Sequence, residues 1–175
     1  MRNNIFALCV DDKFTKMRES IIYQLPPKNS NLDAVNELHR RFKDELKVLN
    51  EEQQIAVLKS ILAQNYHMVL GTPGSGKTTA IVVLIRILAA MKQRVLVVSF
   101  TNSAIDNVLG RLKKSGFNKF IRVTNNIASA EESIQENVKT YKDFNTMEDI
   151  RTTLNENYVY GTTCLQMNNN LLLCL

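Results

Sequence analysis

Apolar and polar positions change their spacing several times along the chain. Residues from about Asn4 to Tyr23 alternate irregularly, and Pro26-Pro27 followed by Lys28-Asn29-Ser30 interrupts any regular element and marks a boundary. Beyond it Leu32, Val35, Leu38, Phe42 and Leu46 recur at near-helical spacing. A second half-buried helix is predicted from Asn50, with Ile55, Leu58, Ile61 and Leu62 as its apolar stripe. The pattern then shortens: Tyr66 to Leu70 reads as a strand, a glycine-rich turn follows, and Thr79 to Met91 reads as a long apolar helix. Arg94 to Phe100 is a second strand, and Ala104, Ile105, Val108, Leu109 and Leu112 mark one face of another helix. Phe120 to Thr124 and Tyr158 to Gly161 make two further short strands. Strands alternating with helices predict an α/β fold, a parallel sheet covered by helices on both faces.

Composition narrows this only a little. A chain of 175 residues, 45% of them hydrophobic, is enough for one domain with a real core. The cysteines, Cys9, Cys164 and Cys174, lack the paired spacing of zinc or iron-sulfur ligands and read as reduced thiols of an intracellular protein. The apolar run from Ile5 to Val10 is too short for a signal peptide and meets Asp11 and Asp12 at once. No stretch approaches the roughly 18 apolar residues of a membrane span. Net charge is +5, unevenly spread: Arg86 to Arg122 holds eight basic residues against one acid, Asp106, and Glu131 to Glu156 holds seven acids against three bases. The basic stretch fits a polyanion-facing surface and a solvated charged face equally well.

The sharpest chemistry lies in Gly71-Thr72-Pro73-Gly74-Ser75-Gly76-Lys77-Thr78-Thr79. Two glycines five apart followed by Lys-Thr, set between an apolar strand and an apolar helix, is the P-loop pattern. Backbone N–H groups must turn inward around a phosphate chain, so Gly74 and Gly76 remove side chains that would block the approach. The helix starting near Lys77 adds the positive end of its dipole. Lys77 is expected against the β- and γ-phosphates of ATP, and the Thr78 hydroxyl on the bridging magnesium ion.

A P-loop fixes the ligand class and leaves the function open. Leu49-Asn50-Glu51-Glu52-Gln53-Gln54-Ile55-Ala56-Val57 places Gln53 eighteen residues before Gly71. A glutamine amide meets both the donor and the acceptor edge of adenine; Asn50 with Gln53 is equally a helix-capping pair. Ser99-Phe100-Thr101-Asn102-Ser103-Ala104-Ile105-Asp106-Asn107-Val108 sets hydroxyls and an amide at the start of a helix, donors suited to a phosphate backbone and also to an ordinary cap.

These runs resemble the Q motif and motif Ia of superfamily 1 helicases. Thr-x-Ser-Ala-Ile-Asp-Asn is similar to the form seen in the eukaryotic DNA replication ATP-dependent helicase/nuclease family. Tyr160-Gly161-Thr162-Thr163-Cys164-Leu165 resembles that family's motif Ic, and Asn4-Ile5-Phe6-Ala7-Leu8 through Pro26-Pro27 resembles the segment leading into its motor. The resemblance implies a RecA-like P-loop fold organised as a lead-in over 1–30, part of motor domain 1A over 31–165 and a tail outside the family over 166–175. It further implies ATP and magnesium as cofactors, Gln53 on adenine, and single-stranded DNA (or RNA, in related helicases) against Thr101, Asn102, Ser103, Thr162 and Thr163. It also implies a role in replication and repair, and a nuclear location.

The family's strand ending in Asp-Glu, which holds magnesium and activates water, has no counterpart here; Glu131-Glu132 and Glu148-Asp149 sit in polar, helical surroundings and read as surface charge. The chain is therefore expected to be a fragment of low stability, binding ATP weakly and turning it over negligibly. Two rivals stand beside the helicase. A small-molecule kinase predicts turnover without response to nucleic acid, and a non-catalytic module predicts salt-sensitive nucleic-acid binding indifferent to ATP.

Overall fold

The helix over Glu51–Leu62 begins where the sequence supplies a cap. Asn50 has extended backbone and its side chain accepts from the Gln53 N–H, while Gln53 Oε1 accepts from the Asn50 N–H, so two otherwise orphaned donors are satisfied reciprocally. The structure, a computed structural model, describes residues 11–23, 32–64 and 66–166. The expectations for 4–8, for Pro26-Pro27 and for the tail from 167 onward lie outside these residues. The chain divides into two compact units, Met1–Lys77 and Thr78–Leu175.

In the first unit, a short helix α1 (Thr15–Ile21) is followed by α2 (Leu32–Arg41), α3 (Lys43–Leu46) and α4 (Glu51–Leu62). Leu38, Phe42, Leu46, Leu49, Val57 and Leu58 are buried and form the core of this unit. Gln54 ties the helices together: its amide donates to Leu46 O and Leu49 O, and its Oε1 meets His39 Nε2 at 3.1 Å. The apolar stripe expected on α4 is shifted, since Ile55 is 49% exposed while Val57 is buried. Residues 67–70 belong to no strand of the sheet, against the expectation of a strand over Tyr66 to Leu70, and Leu70 is 91% exposed. An apolar run supplies strand propensity, but a strand exists only where a ladder partner accepts its hydrogen bonds.

The long apolar helix α5 (Lys77–Ala90) starts at the division. Among the described residues, β1 (Val95–Ser99), β2 (Phe120–Val123), β3 (Val138–Lys139) and β4 (Val159–Thr163) form one parallel sheet in the order β1-β4-β2-β3. The register pairs Ser99 with Thr163 and Arg122 with Gly161. Alternation along the strands separates two cores. On one face Phe120 and Val159 pack with Val82, Ile85 and Ala89 of α5 and with Ile105, Val108, Leu109 and Leu112 of α6 (Asn102–Lys114). On the other, Ile121, Val123 and Tyr160 pack with Ile150 and Leu154 of α7 (Met147–Glu156). The expected α/β architecture with helices on both faces is thus present. At Gly161 the sheet admits α6 so closely that a Cβ would lie 2.7 Å from Leu109 Cδ1.

Candidate nucleotide and nucleic-acid site

The glycine-rich turn uses the conformational freedom of its glycines. Gly74 and Gly76 adopt φ of +80 and +75, a left-handed conformation that other residues enter only with strain, and the loop runs directly into the first turn of α5. Thr72 O accepts from Ser75 N at 3.2 Å, closing the turn. Lys77 folds back over its own loop, its Nζ donating to Gly71 O at 2.9 Å and Thr72 O at 2.6 Å. The ammonium therefore sits against the start of the glycine-rich loop. Gly71, Thr72, Pro73, Gly74 and Ser75 are exposed, and Thr78 and Thr79, which follow Lys77 in the helix, are half-buried.

Gln53 reaches this loop as well. Its Nε2 donates to Ser75 O at 2.8 Å, while its Oε1 closes the capping box at the start of α4. One side chain thus makes both the cap of α4 and a bond to the glycine-rich loop. A Cβ on Gly76 would stand 2.7 Å from that Nε2 and displace the Gln53 amide, and the φ of +75 favours glycine there independently.

The second unit carries the candidate nucleic-acid residues at the carboxyl ends of two neighbouring strands. β1 and β4 run parallel and end at Ser99 and Thr163, so Thr101, Asn102 and Ser103, which open α6, share a sheet edge with Thr162 and Thr163. Thr101 caps α6, its Oγ1 accepting from Ala104 N at 3.3 Å. Thr101 and Ser103 are exposed and Asn102 is half-buried. Thr162 lies inside the sheet with no exposed surface, its hydroxyl donating to Val123 O at 3.2 Å, and Thr163 is buried too.

Two members of the charged stretches prove internal. Arg122 is fully buried, its Nε donating to Asp106 Oδ1 at 2.9 Å, so neither belongs to a basic surface. No spacing in the sequence links residues 106 and 122; the packing of α6 on β2 does. Glu131, Glu132, Glu148 and Asp149 are exposed, as read from the sequence. Asp149 caps α7 with Thr146. Cys164 is a free, exposed thiol. No helix of the described residues is long and apolar enough to cross a membrane.

A parallel sheet flanked by helices and a glycine-rich loop feeding a helix N-terminus define the class: an α/β P-loop fold of the RecA-like kind. Residues 48–166 match the family model described as an AAA domain, and the chain belongs to that family. Over 175 aligned residues it is 33% identical to the DNA replication ATP-dependent helicase/nuclease of Arabidopsis thaliana, covering 98% of this chain and 13% of that protein. The protein of the same description from Schizosaccharomyces pombe is 39% identical over 113 residues, 65% of this chain and 8% of its own length. That from Saccharomyces cerevisiae is 35% identical over 163 residues, 93% of this chain and 10% of its own. The resemblance read from the motifs is thereby borne out, for a chain that spans a small part of each of these relatives.

Proposed function

We propose that this chain is the ATP-binding portion of an ATP-dependent DNA helicase of the replication and repair helicase-nuclease type, acting in the nucleus. The observation that carries the reading is the convergence of Gln53, the positive-φ glycines and Lys77 on one loop. The donor set fits a nucleotide polyphosphate: backbone N–H groups of the loop, from which Pro73 is absent, one ammonium, and a helix N-terminus. Gly71, Thr72, Pro73, Gly74, Ser75, Gly76 and Thr79 would line the phosphate chain, Lys77 would neutralise its outer oxygens, Thr78 would ligate magnesium, and Gln53 would read adenine. ATP bound there supplies the free energy that a motor spends on moving a strand.

The reading assigns backbone contact with single-stranded DNA to Thr101, Asn102 and Ser103. It gives Thr162 and Thr163, which are buried, no direct part in that contact. Among the described strands, β1, β2 and β4 end in Ser99, Val123 and Thr163, none a carboxylate able to hold magnesium or orient water. Turnover by this chain alone is accordingly negligible.

Fluorescence anisotropy of a labelled oligonucleotide on the full chain, with and without magnesium-ATP, tests the assignment. A helicase portion binds single-stranded DNA with an affinity that ATP changes, and binds it more tightly than RNA of the same length. Binding indifferent to ATP would instead mark a nucleic-acid module, and absence of binding alongside phosphorylation of a small acceptor would mark a kinase.

A further inference from the structure

The buried charges beneath α6 have no part in the function above. Arg122 has no exposed surface, and its guanidinium donates to four acceptors of the surrounding fold. Nε donates to Asp106 Oδ1 at 2.9 Å, Nη1 to Val123 O at 2.8 Å and, at the limit of a hydrogen bond, to Gly161 O at 3.5 Å. Nη2 donates to Asn102 Oδ1 at 2.7 Å. Asp106 is itself held, its second oxygen accepting from Glu131 N at 3.1 Å. Asn102 and Asp106 lie four residues apart, on one face of α6, so a single planar fork grips two successive turns of that helix.

Burying an ion pair costs several kcal/mol of desolvation per ion, and an apolar pair of like volume often serves stability as well. The bond to Asn102 suggests what the charge adds. A guanidinium has donors only, so the amide atom facing it must be the oxygen. A phosphate oxygen only accepts, so it requires the amide's NH2 end. Rotating the amide by half a turn would oppose two donors at Arg122 and offer an oxygen to the anion.

We propose that Arg122 is a positioning residue for nucleic-acid binding: its buried guanidinium holds the Asn102 amide by the oxygen and leaves the Nδ2 donors for a backbone phosphate. This rests on the reading of Asn102 as a strand contact.

The full chain is titrated with a fluorescein-labelled oligothymidylate at several salt concentrations, and its thermal transition is followed in parallel. Asn102→Asp keeps an acceptor for Arg122 and removes the donor: the transition stays at or above that of the parent while affinity falls at least about tenfold. The pair Asp106→Leu with Arg122→Met fills the space without orphaning a charge. Its affinity falls about as far as that of Asn102→Ala, and adding Asn102→Ala to it changes little more. The salt slope stays at the parental value, because no surface cation is lost. Should the double variant fail to fold, Arg122→Lys keeps the charge but lacks the fork that spans both partners, and loses affinity likewise. Parental affinity in a folded Arg122 variant, with Asn102→Ala weakened, would overturn the positioning role while leaving the strand contact in place. Parental affinity in Asn102→Ala itself would remove the contact, and the positioning role with it.

Discussion

Replacing Gly76 by Ala puts a methyl group 2.7 Å from Gln53 Nε2 on a backbone held at φ +75. The left-handed conformation costs a residue with a Cβ about 1–2 kcal/mol. Gln53 must also withdraw, breaking its 2.8 Å bond to Ser75 O, a net loss of about 1 kcal/mol. A loop conformation destabilised by about 2 kcal/mol or more weakens phosphate binding about thirtyfold. Gly74→Ala is the internal control, because φ there is +80 but a Cβ would meet nothing within 4 Å, leaving the strain alone and about a tenfold loss. The assay is competition between a fluorescent ATP analogue and tripolyphosphate in the presence of magnesium; the second probe has no base and isolates the phosphate grip from any part Gln53 plays with adenine. Adding Gln53→Ala to Gly76→Ala costs tripolyphosphate affinity little more, because the bond from Gln53 to Ser75 O is already broken in the single variant. Parental affinity in Gly76→Ala, or a further loss in the double variant as large as that of Gln53→Ala alone, would refute the geometry.

Gly161→Ala drives a Cβ to 2.7 Å from Leu109 Cδ1 and 3.0 Å from Ile105 Cγ2, where overpacking costs about 1–3 kcal/mol. The thermal midpoint falls by several degrees, and an unchanged midpoint would contradict the close seating of α6 on β4. Burial pushes the Tyr160 phenol above its usual 10.0, with Arg94 acting the other way. The folded chain then keeps a proton that the unfolded chain releases, so this stabilisation is complete below about pH 10 and declines as pH rises through the folded value. Urea unfolding on either side of that pH shows the decline, and Tyr160→Phe reduces its slope; an identical slope in the variant would place the titration elsewhere.

Local chemistry made much of this molecule legible before its structure. The Asn50–Gln53 pair announces α4, the glycines announce the loop, and runs of apolar residues mark β1, β2 and β4 to within a residue or two. What the sequence concealed depends on partners distant along the chain. Residues 67–70 have the composition of a strand without a place in the sheet. Val138–Lys139 pairs with β2 over too few residues to carry a periodic signal. Arg122 counted as one charge among eight in a basic stretch, and Thr162 as a surface hydroxyl, because only the packing of helix on sheet and the pairing of strands bury them. Gln53 shows a mixed case: its capping of α4 was visible in the sequence, and its bond to Ser75 O was not.

Calorimetric titration of the full chain with magnesium-ATP, run beside the Lys77→Ala variant, bears most directly on all of this. The parent should bind one nucleotide, and the variant, lacking the ammonium that lies over Gly71 and Thr72, should show no measurable binding while keeping its fold. Equal affinity in the two proteins would mean that this loop does not hold the polyphosphate.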